Sequence, residues 1–219
     1  MSLRAKRSNL EAMIRLPSPQ LKGKISLEET ILRRRSVRRY RKEPLDLSQL
    51  SQILWSAQGV TGRGLRAAPS AGATYPLEIF VVIGERSVVI KEAGQSAKKL
   101  QAGVYHYEPD SHSLSLGKAS DLRPDLARAT MDQEFIIDAP VAIVICALYH
   151  RTSDRYGRRA ERYVHMEVGH TGENIHLQAV ALGLATVEVG AFQDEEVREV
   201  LGLEERIKPL YVMPVGRST

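Results

Sequence analysis

The sequence predicts an α+β fold in which helices cover a sheet, on three observations. Residues 158–182 carry Val164, Val168, Thr171, Ile175, Ala179 and Leu182 at spacings of three and four, the period of a buried helix face. Residues 77–83 and 141–148 are unbroken apolar runs of strand length, which implies burial on both faces of a sheet. Helical and strand segments alternate irregularly, the pattern of an α+β chain.

With 219 residues, 43% of them hydrophobic, the chain has material for one compact domain whose core needs no disulfide or metal. The single cysteine, Cys146, lies inside the apolar run VAIVICAL and is expected to pack as a small hydrophobe. A net charge of +5, from 31 basic and 26 acidic residues, describes a balanced surface with a local excess. An anionic partner is permitted; nucleic acid is not required. Arg4, Lys6 and Arg7 precede no apolar segment, and no run reaches membrane-spanning length, so a soluble cytoplasmic protein with no membrane partner is expected.

Residues 1–24 are basic, contain Pro17 and Pro19 and show no period, so they read as an extended arm ahead of a single domain at 25–219. In a dimer such an arm is placed to wrap the partner. Ser26 with Glu29 has the form of a capping box and starts a short helix over residues 27–34. The helix exits into RRRSVRRY, residues 33–40, with five arginines in eight positions. Arg34 and Arg38 are planar cationic forks that match a phosphate two bonds at a time, and Ser36 adds a smaller donor. The same run also reads as a solvated helix end whose cations favour the negative pole of the macrodipole.

Asp46 and Gln49 open a second helix, with Leu47, Leu50, Ile53, Leu54 and Ala57 on one face and Gly59 at its end. Residues 59–76 form a long loop rich in glycine and small side chains, either a flexible surface loop or a functional one. Ser70, Ala71, Gly72 and Ala73 would let backbone approach a flat ligand. Residues 85–101 read as a polar, partly helical connection, and residues 103–117 alternate as a hairpin turning through Pro109 and Asp110. A helix over 122–131 follows, capped by Ser120 or Asp121. After the long helix, Gly183 precedes a strand at 185–189, Asp194 caps a short helix ending at Gly202, and 208–215 is the last strand.

The long helix holds Glu167-x-x-His170 and Glu173-x-x-His176, spaced like the pairs of carboxylate-bridged di-iron sites. Such sites draw their pairs from separate facing helices, whereas these stand about 9 Å apart along one, so no metal site is expected. Cys146 has no histidine at ligand spacing, and neither Ser36 nor Ser70 has the flanks of a nucleophile elbow. No dinucleotide or phosphate-loop fingerprint is present. A chain advertising no acid, base or nucleophile of its own fits chemistry that belongs to an organic cofactor.

Four segments in order, ETILRRRSVRRY, SQILWSAQGVTGRGLRAAPSAGATYPLEIFVV, RYGRRAERYVHMEVGHTGENIHLQAVALGL and VGAF, followed by PLYVMPVGR, resemble the nitroreductase-like FMN flavoproteins. The SagB-type dehydrogenase branch, which includes thiazoline and oxazoline oxidases, is the most similar. The resemblance spans residues 16–217 and implies a nitroreductase-like fold: a central, mostly antiparallel sheet flanked by helices, with the long helix at a homodimer interface. It implies two FMN sites between subunits, each lined by both chains. Arg34, Arg35, Ser36 and Arg38, with Arg217 as a further candidate, would hold the FMN phosphate and ribityl chain. Pro69, Ser70, Ala71 and Gly72 would lie along the isoalloxazine ring with Tyr75 nearby, and the backbone at Gly190 and Ala191 would face the ring near N5. The implied reaction is ping-pong hydride transfer through N5, with NAD(P)H as a possible donor. It serves either nitro or quinone reduction or azoline oxidation. The chain departs from the family pattern in having Glu173 for glutamine, Glu188 for proline and Ala191 for glycine. A flavin-storing module without turnover and a nucleic-acid binder using the arginines are the other readings; aromatic stacking residues around that stretch are nearly lacking, which argues against the latter.

Overall fold

The computed structural model describes residues 13–91 and 96–219. In chain order they form β1 (Ile14–Arg15), α1 (Leu27–Arg33), β2 (Leu45–Asp46), α2 (Leu47–Gln58), β3 (Val60–Gly62), β4 (Leu65–Arg66), β5 (Leu77–Ile83) and β6 (Val88–Ile90). There follow β7 (Lys98–Lys99), β8 (Gly103–Glu108), β9 (Ser113–Lys118), α3 (Arg123–Ala129), α4 (Phe135–Asp138) and β10 (Val141–Ala147). The remainder is α5 (His150–Tyr156), α6 (Ala160–Ala181), β11 (Ala185–Thr186), α7 (Asp194–Leu201) and β12 (Lys208–Gly216). No helix among the described residues is long and apolar enough to cross a membrane.

The main sheet has seven strands in the order β1-β9-β8-β5-β10-β12-β11, and every neighbouring pair is antiparallel. The central strands β5 and β10 are buried along their whole length, as their unbroken apolar sequences require. One face, with Ile79, Val81, Ile143 and Ile145, packs with Leu50, Ile53 and Leu54 of α2 and Val164, Val168 and Ile175 of α6. The other, with Phe80, Val82, Val144 and Cys146, packs with Leu126 of α3, Ile136 of α4 and Val197 of α7. Cys146 is fully buried, and that burial pushes its thiol well above the usual range. It is a packing residue.

The caps follow from the sequence. Ser26 Oγ accepts from the Glu29 N–H at 3.2 Å, while the Glu29 carboxylate pairs with Arg33. At α2, Gln49 Oε1 accepts from the Asp46 N–H at 3.1 Å, which satisfies a donor otherwise stranded at the helix start.

Several local expectations are corrected. The described part of 85–101 is strand, not helix: the β-branched run at Val88–Ile90 pairs in parallel with β2 and antiparallel with β7. The loop at 59–76 contains the β3–β4 hairpin and a 3₁₀ turn at Ala71–Ala73. The short helices α4 and α5 lack the apolar period that betrays longer ones. The strand expected at 185–189 ends at Thr186 and touches the sheet again where Val189 bridges Val212. Residues 1–12 of the expected arm lie outside the described residues; beyond them Ile14–Arg15 adds a strand to the sheet edge, pairing with Leu114 and Ser113.

A charged chain crosses the second face of the sheet. His106 on β8 lies 2.5 Å from Glu78 on β5 and 3.1 Å from Glu108, and Glu78 also pairs with Arg151 of α5. Burial opposes the imidazolium, but hydrogen bonds to Glu108 and Glu78 outweigh it and raise the His106 pKa to about 9. A group with a raised folded pKa stabilises the fold below its unfolded pKa and loses that contribution as pH rises through the folded one. The folding free energy is therefore expected to fall, by something on the order of 2 kcal/mol, between about pH 6.5 and pH 9. Urea unfolding across that window checks it, and His106→Gln is expected to flatten the dependence.

Candidate active site

Residues 34–40 leave α1 and run along the free edge of the main sheet. Ser36 bridges Thr186 in parallel, the Val37 N–H donates to Thr186 O at 3.0 Å, and the Arg41 N–H donates to Arg217 O at 2.9 Å. Buried Tyr40 locks the run by donating to Val37 O at 2.6 Å and Pro214 O at 3.3 Å. Among the described residues neither Arg34 nor Arg38 has an ion-pair partner. Thr186 Oγ1, beside Ser36, is buried without a hydrogen-bond partner. An orphaned buried hydroxyl costs about 1–3 kcal/mol, and it lies on the strand along which the arginine run is paired. Arg35 is used differently: its Nη1 donates to the carbonyls of Leu32 and Arg34 at 3.0 and 2.6 Å, closing the end of α1. Arg217 turns its Nε to Glu43 at 3.4 Å.

Past Thr186, Glu188 lies 3.1 Å from His176 Nε2 of α6, which is 1% exposed. Burial of Glu188 opposes its charge, yet the neighbouring His176, its own backbone N–H and the field of Arg34 together hold its carboxyl below the usual range; His176 Nε2 makes no hydrogen bond of good geometry. Gly190 and Ala191 are exposed. A Cβ added at Gly190 would stand 3.5 Å from the ring of Tyr211, and one at Gly172 would stand 3.6 Å from both Tyr211 and Glu188. Bare backbone at Gly190 is thus backed by an aromatic ring, and Gly172 faces the same Tyr211 ring and Glu188 from α6.

The segment Pro69 to Tyr75 is a second cluster. Ser70 Oγ accepts from the Tyr75 N–H at 2.9 Å, and Gly72, Ala73 and Tyr75 all have left-handed backbone, with φ of 59°, 53° and 45°. Non-glycine residues adopt that region only when their surroundings impose it. Here α5 does so: Arg155 Nη1 donates to Gly72 O at 3.0 Å, Arg151 Nη1 to Tyr75 O at 2.9 Å, and Thr74 bonds Thr152 at 2.9 Å. The Arg66 guanidinium lies 4.6 Å from the Tyr75 ring centroid and donates to Gln58 Oε1 at 3.4 Å. Gln58 Nε2 in turn reaches Thr171 Oγ1 at 3.2 Å and Glu167 Oε1 at 3.5 Å.

The two clusters hang from different parts of α6. Arg34, Ser36, Arg38, Gly190 and Ala191 gather where His176 is, and Pro69, Ser70, Ala71, Gly72 and Tyr75 gather at Glu167, about 13 Å away along the helix. Between them the outward face of α6 presents Met166, His170 and Glu173 to solvent, with Gly169 opening onto free space. Leu27 and Ile31 of α1, which packs on α6, are 60% and 56% exposed. Exposed apolar side chains thus lie on two adjoining helices. No group of three or more His, Cys, Asp or Glu among the described residues is placed to hold a metal. Sequence reasoning missed Thr186, Tyr211 and the pairing of His176 with Glu188, because nothing in their spacing announces contacts made across the fold.

The fold is that of an oxidoreductase family: the chain belongs to the nitroreductase family, whose family model matches residues 31–217. Proteins of this family generally bind flavin. A protein of Methanocaldococcus jannaschii named as a nitroreductase is 48% identical over 195 residues, covering 89% of this chain and 92% of that one. The microcin B17-processing protein McbC of Escherichia coli is 28% identical over 182 residues, covering 80% of this chain and 63% of that protein. A crystal structure of a Ralstonia eutropha protein described as a nitroreductase superposes with a TM-score of 0.79 at 30% identity, covering 95% of this chain and 90% of that one. The SagB-type resemblance read from the sequence agrees with the similarity to McbC.

A Cβ at Gly72 would meet Tyr156 Oη at 2.5 Å and Arg155 Nη1 at 2.8 Å, at a φ of +59°. Gly72→Ala is accordingly expected to destabilise the protein by about 1 kcal/mol, read as a lowered urea midpoint. Arg155→Ala relieves only part of the clash, because Tyr156 Oη and the positive φ remain.

Proposed function

We propose that this chain is an FMN-dependent oxidoreductase acting as a homodimer. The observation that carries the reading is the pair of unpaired arginines, Arg34 and Arg38, flanking Ser36, which bridges Thr186 at the sheet edge. Two guanidinium forks and the exposed Ser36 hydroxyl suit the phosphate end of FMN, with charge-assisted bonds of about 1.5–3 kcal/mol each. The separation of the two clusters along α6 supports a site built from both subunits. The Arg34–Arg38 run and the Gly190–Ala191 backbone would come from one chain, and the Pro69–Tyr75 segment from the other. The exposed faces of α6 and α1 are the surfaces available for that pairing.

When bound, FMN supplies a centre that accepts and returns a hydride at N5. The chain's own residues do the rest. Arg34 and Arg38 would hold the phosphate, Ser36 would add a neutral donor, and the small residues Ser70 to Gly72 would let the ring lie against backbone. The bare backbone at Gly190 and Ala191 would lie on the reactive side of the ring. The carboxylate of Glu188, an unfavourable neighbour for a ring that gains negative charge, lies beside His176 and within the field of Arg34, with which it does not pair. With chemistry of this kind, pocket shape selects the substrate. Reduction of nitro or quinone compounds at the expense of NAD(P)H is the first reading. Similarity to a microcin-processing protein favours a second, oxidation of azoline rings in peptides.

Arg34→Ala combined with Arg38→Ala is expected to give folded protein that loses at least about 10²-fold in FMN affinity, measured by flavin fluorescence on dialysis. Full retention of FMN overturns the clamp. Stopped-flow bleaching by NADPH separates the reductase reading, which requires it, from the azoline reading; multiple turnovers with any acceptor exclude a storage module. Met166→Arg, a charge introduced on the outward face of α6, is expected to weaken the dimer and FMN retention together, as followed by light scattering and absorbance.

A further inference from the structure

A continuous chain of hydrogen bonds runs from the segment at 69–75 back into the sheet. Glu78, near the start of β5, is 8% exposed, and its two oxygens are divided between two cations. His106 Nε2 of β8 donates to Oε2 at 2.5 Å, and Arg151 Nη2, in the first turn of α5, pairs with Oε1. Arg151 Nη1 then donates to Tyr75 O at 2.9 Å, and the Tyr75 N–H donates to Ser70 Oγ at 2.9 Å. Burial opposes the Glu78 charge, but His106 and Arg151 outweigh it and hold the carboxyl below its usual range.

A buried ion pair is a poor means of stabilising a fold, because well-packed apolar residues of similar volume often do as well or better. Here the pair also gives direction. The guanidinium carries Nη1 and Nη2 on one rigid, planar fork, so anchoring Nη2 on Glu78 fixes where Nη1 points. It points at the carbonyl of Tyr75, whose φ of 45° is a conformation that non-glycine residues keep only under constraint. Two other contacts from α5 reach the segment, Arg155 to Gly72 O and Thr152 to Thr74. Arg155 is exposed and Thr152 is neutral, whereas Arg151 is tied to the central sheet through Glu78.

We propose that Arg151, aimed by Glu78, is a positioning residue of the flavin site: it holds Tyr75, and through it Ser70, in the conformation that receives the ring. The inference rests on the flavin reading above and adds to it the residues that shape the ring end, as distinct from the phosphate end. Neither Arg151 nor Glu78 has to touch the flavin. His106 completes the chain by occupying the second oxygen of Glu78, which leaves Oε1 to Arg151.

The test compares FMN with riboflavin, which has the same ring and no phosphate. Affinities of the full-length protein for both are measured by fluorescence, with the visible circular dichroism of the bound ring and the urea midpoint of the flavin-free protein alongside. Arg151→Met keeps the packing of the stem and loses both bonds. It is expected to weaken FMN and riboflavin by the same factor, about 10-fold, and to alter the dichroism. Arg151→Lys, which keeps the charge without the fork, is expected to recover only part of that loss. Arg34→Ala with Arg38→Ala, by contrast, weakens FMN and leaves riboflavin as it was. Unchanged affinities and dichroism in Arg151→Met, whether or not its urea midpoint falls, overturn the proposal and leave the flavin reading intact. If Arg151→Met does not fold, the double variant Glu78→Gln with Arg151→Met, which leaves neither charge buried alone, decides by the same readings. A wild-type protein that binds neither flavin overturns both.

Discussion

The packing of α6 against α2 and the sheet is the constraint on which the rest depends. Val164, Val168, Thr171, Ile175 and Ala179 form a stripe buried to 4% exposure or less, and that stripe fixes the helix in both rotation and height. With it are fixed Glu167 and Thr171 under one cluster and His176 under the other. A helix shifted by a single turn, about 5.4 Å, would place neither set. The core is therefore also the ruler of the site.

Within that frame, charge is distributed unequally. Arg123, Arg151, Arg198 and Arg206 are each paired with a carboxylate, whereas Arg34 and Arg38 have no such partner among the described residues. Paired surface cations contribute little to stability, and unpaired ones contribute less still. Their retention makes sense as an anchor for an anion.

Much of the fold was legible because it rests on local rules. The capping residues Ser26 and Asp46, the alternation of β8 and β9 and the unbroken runs of β5 and β10 each specify an element from a few neighbouring residues. The connection at 85–101 misled because its polar residues outweighed the β-branched triplet Val88–Ile90, which becomes a strand only once β2 is beside it. The arginines and the small-residue segment at 69–72 could be picked out by composition. What could not be read was pairing at long range. That Glu188 would meet His176, or that Arg151 would reach Tyr75, depends on how strand, loop and helix are brought together. The sequence spacing of Glu167, His170, Glu173 and His176 pointed only to a metal motif, whereas in the fold Glu167 and His176 are buried and His170 and Glu173 face outward.

The parallel bridge from Ser36 to Thr186 carries one more consequence. β11 is a border strand, and border strands with free amide and carbonyl groups invite other molecules to pair with them. Here a ribbon of chain bearing arginines is laid along that margin. Its cations would repel a second copy approaching the same margin, so the run proposed to grip a phosphate would also blunt an edge open to pairing.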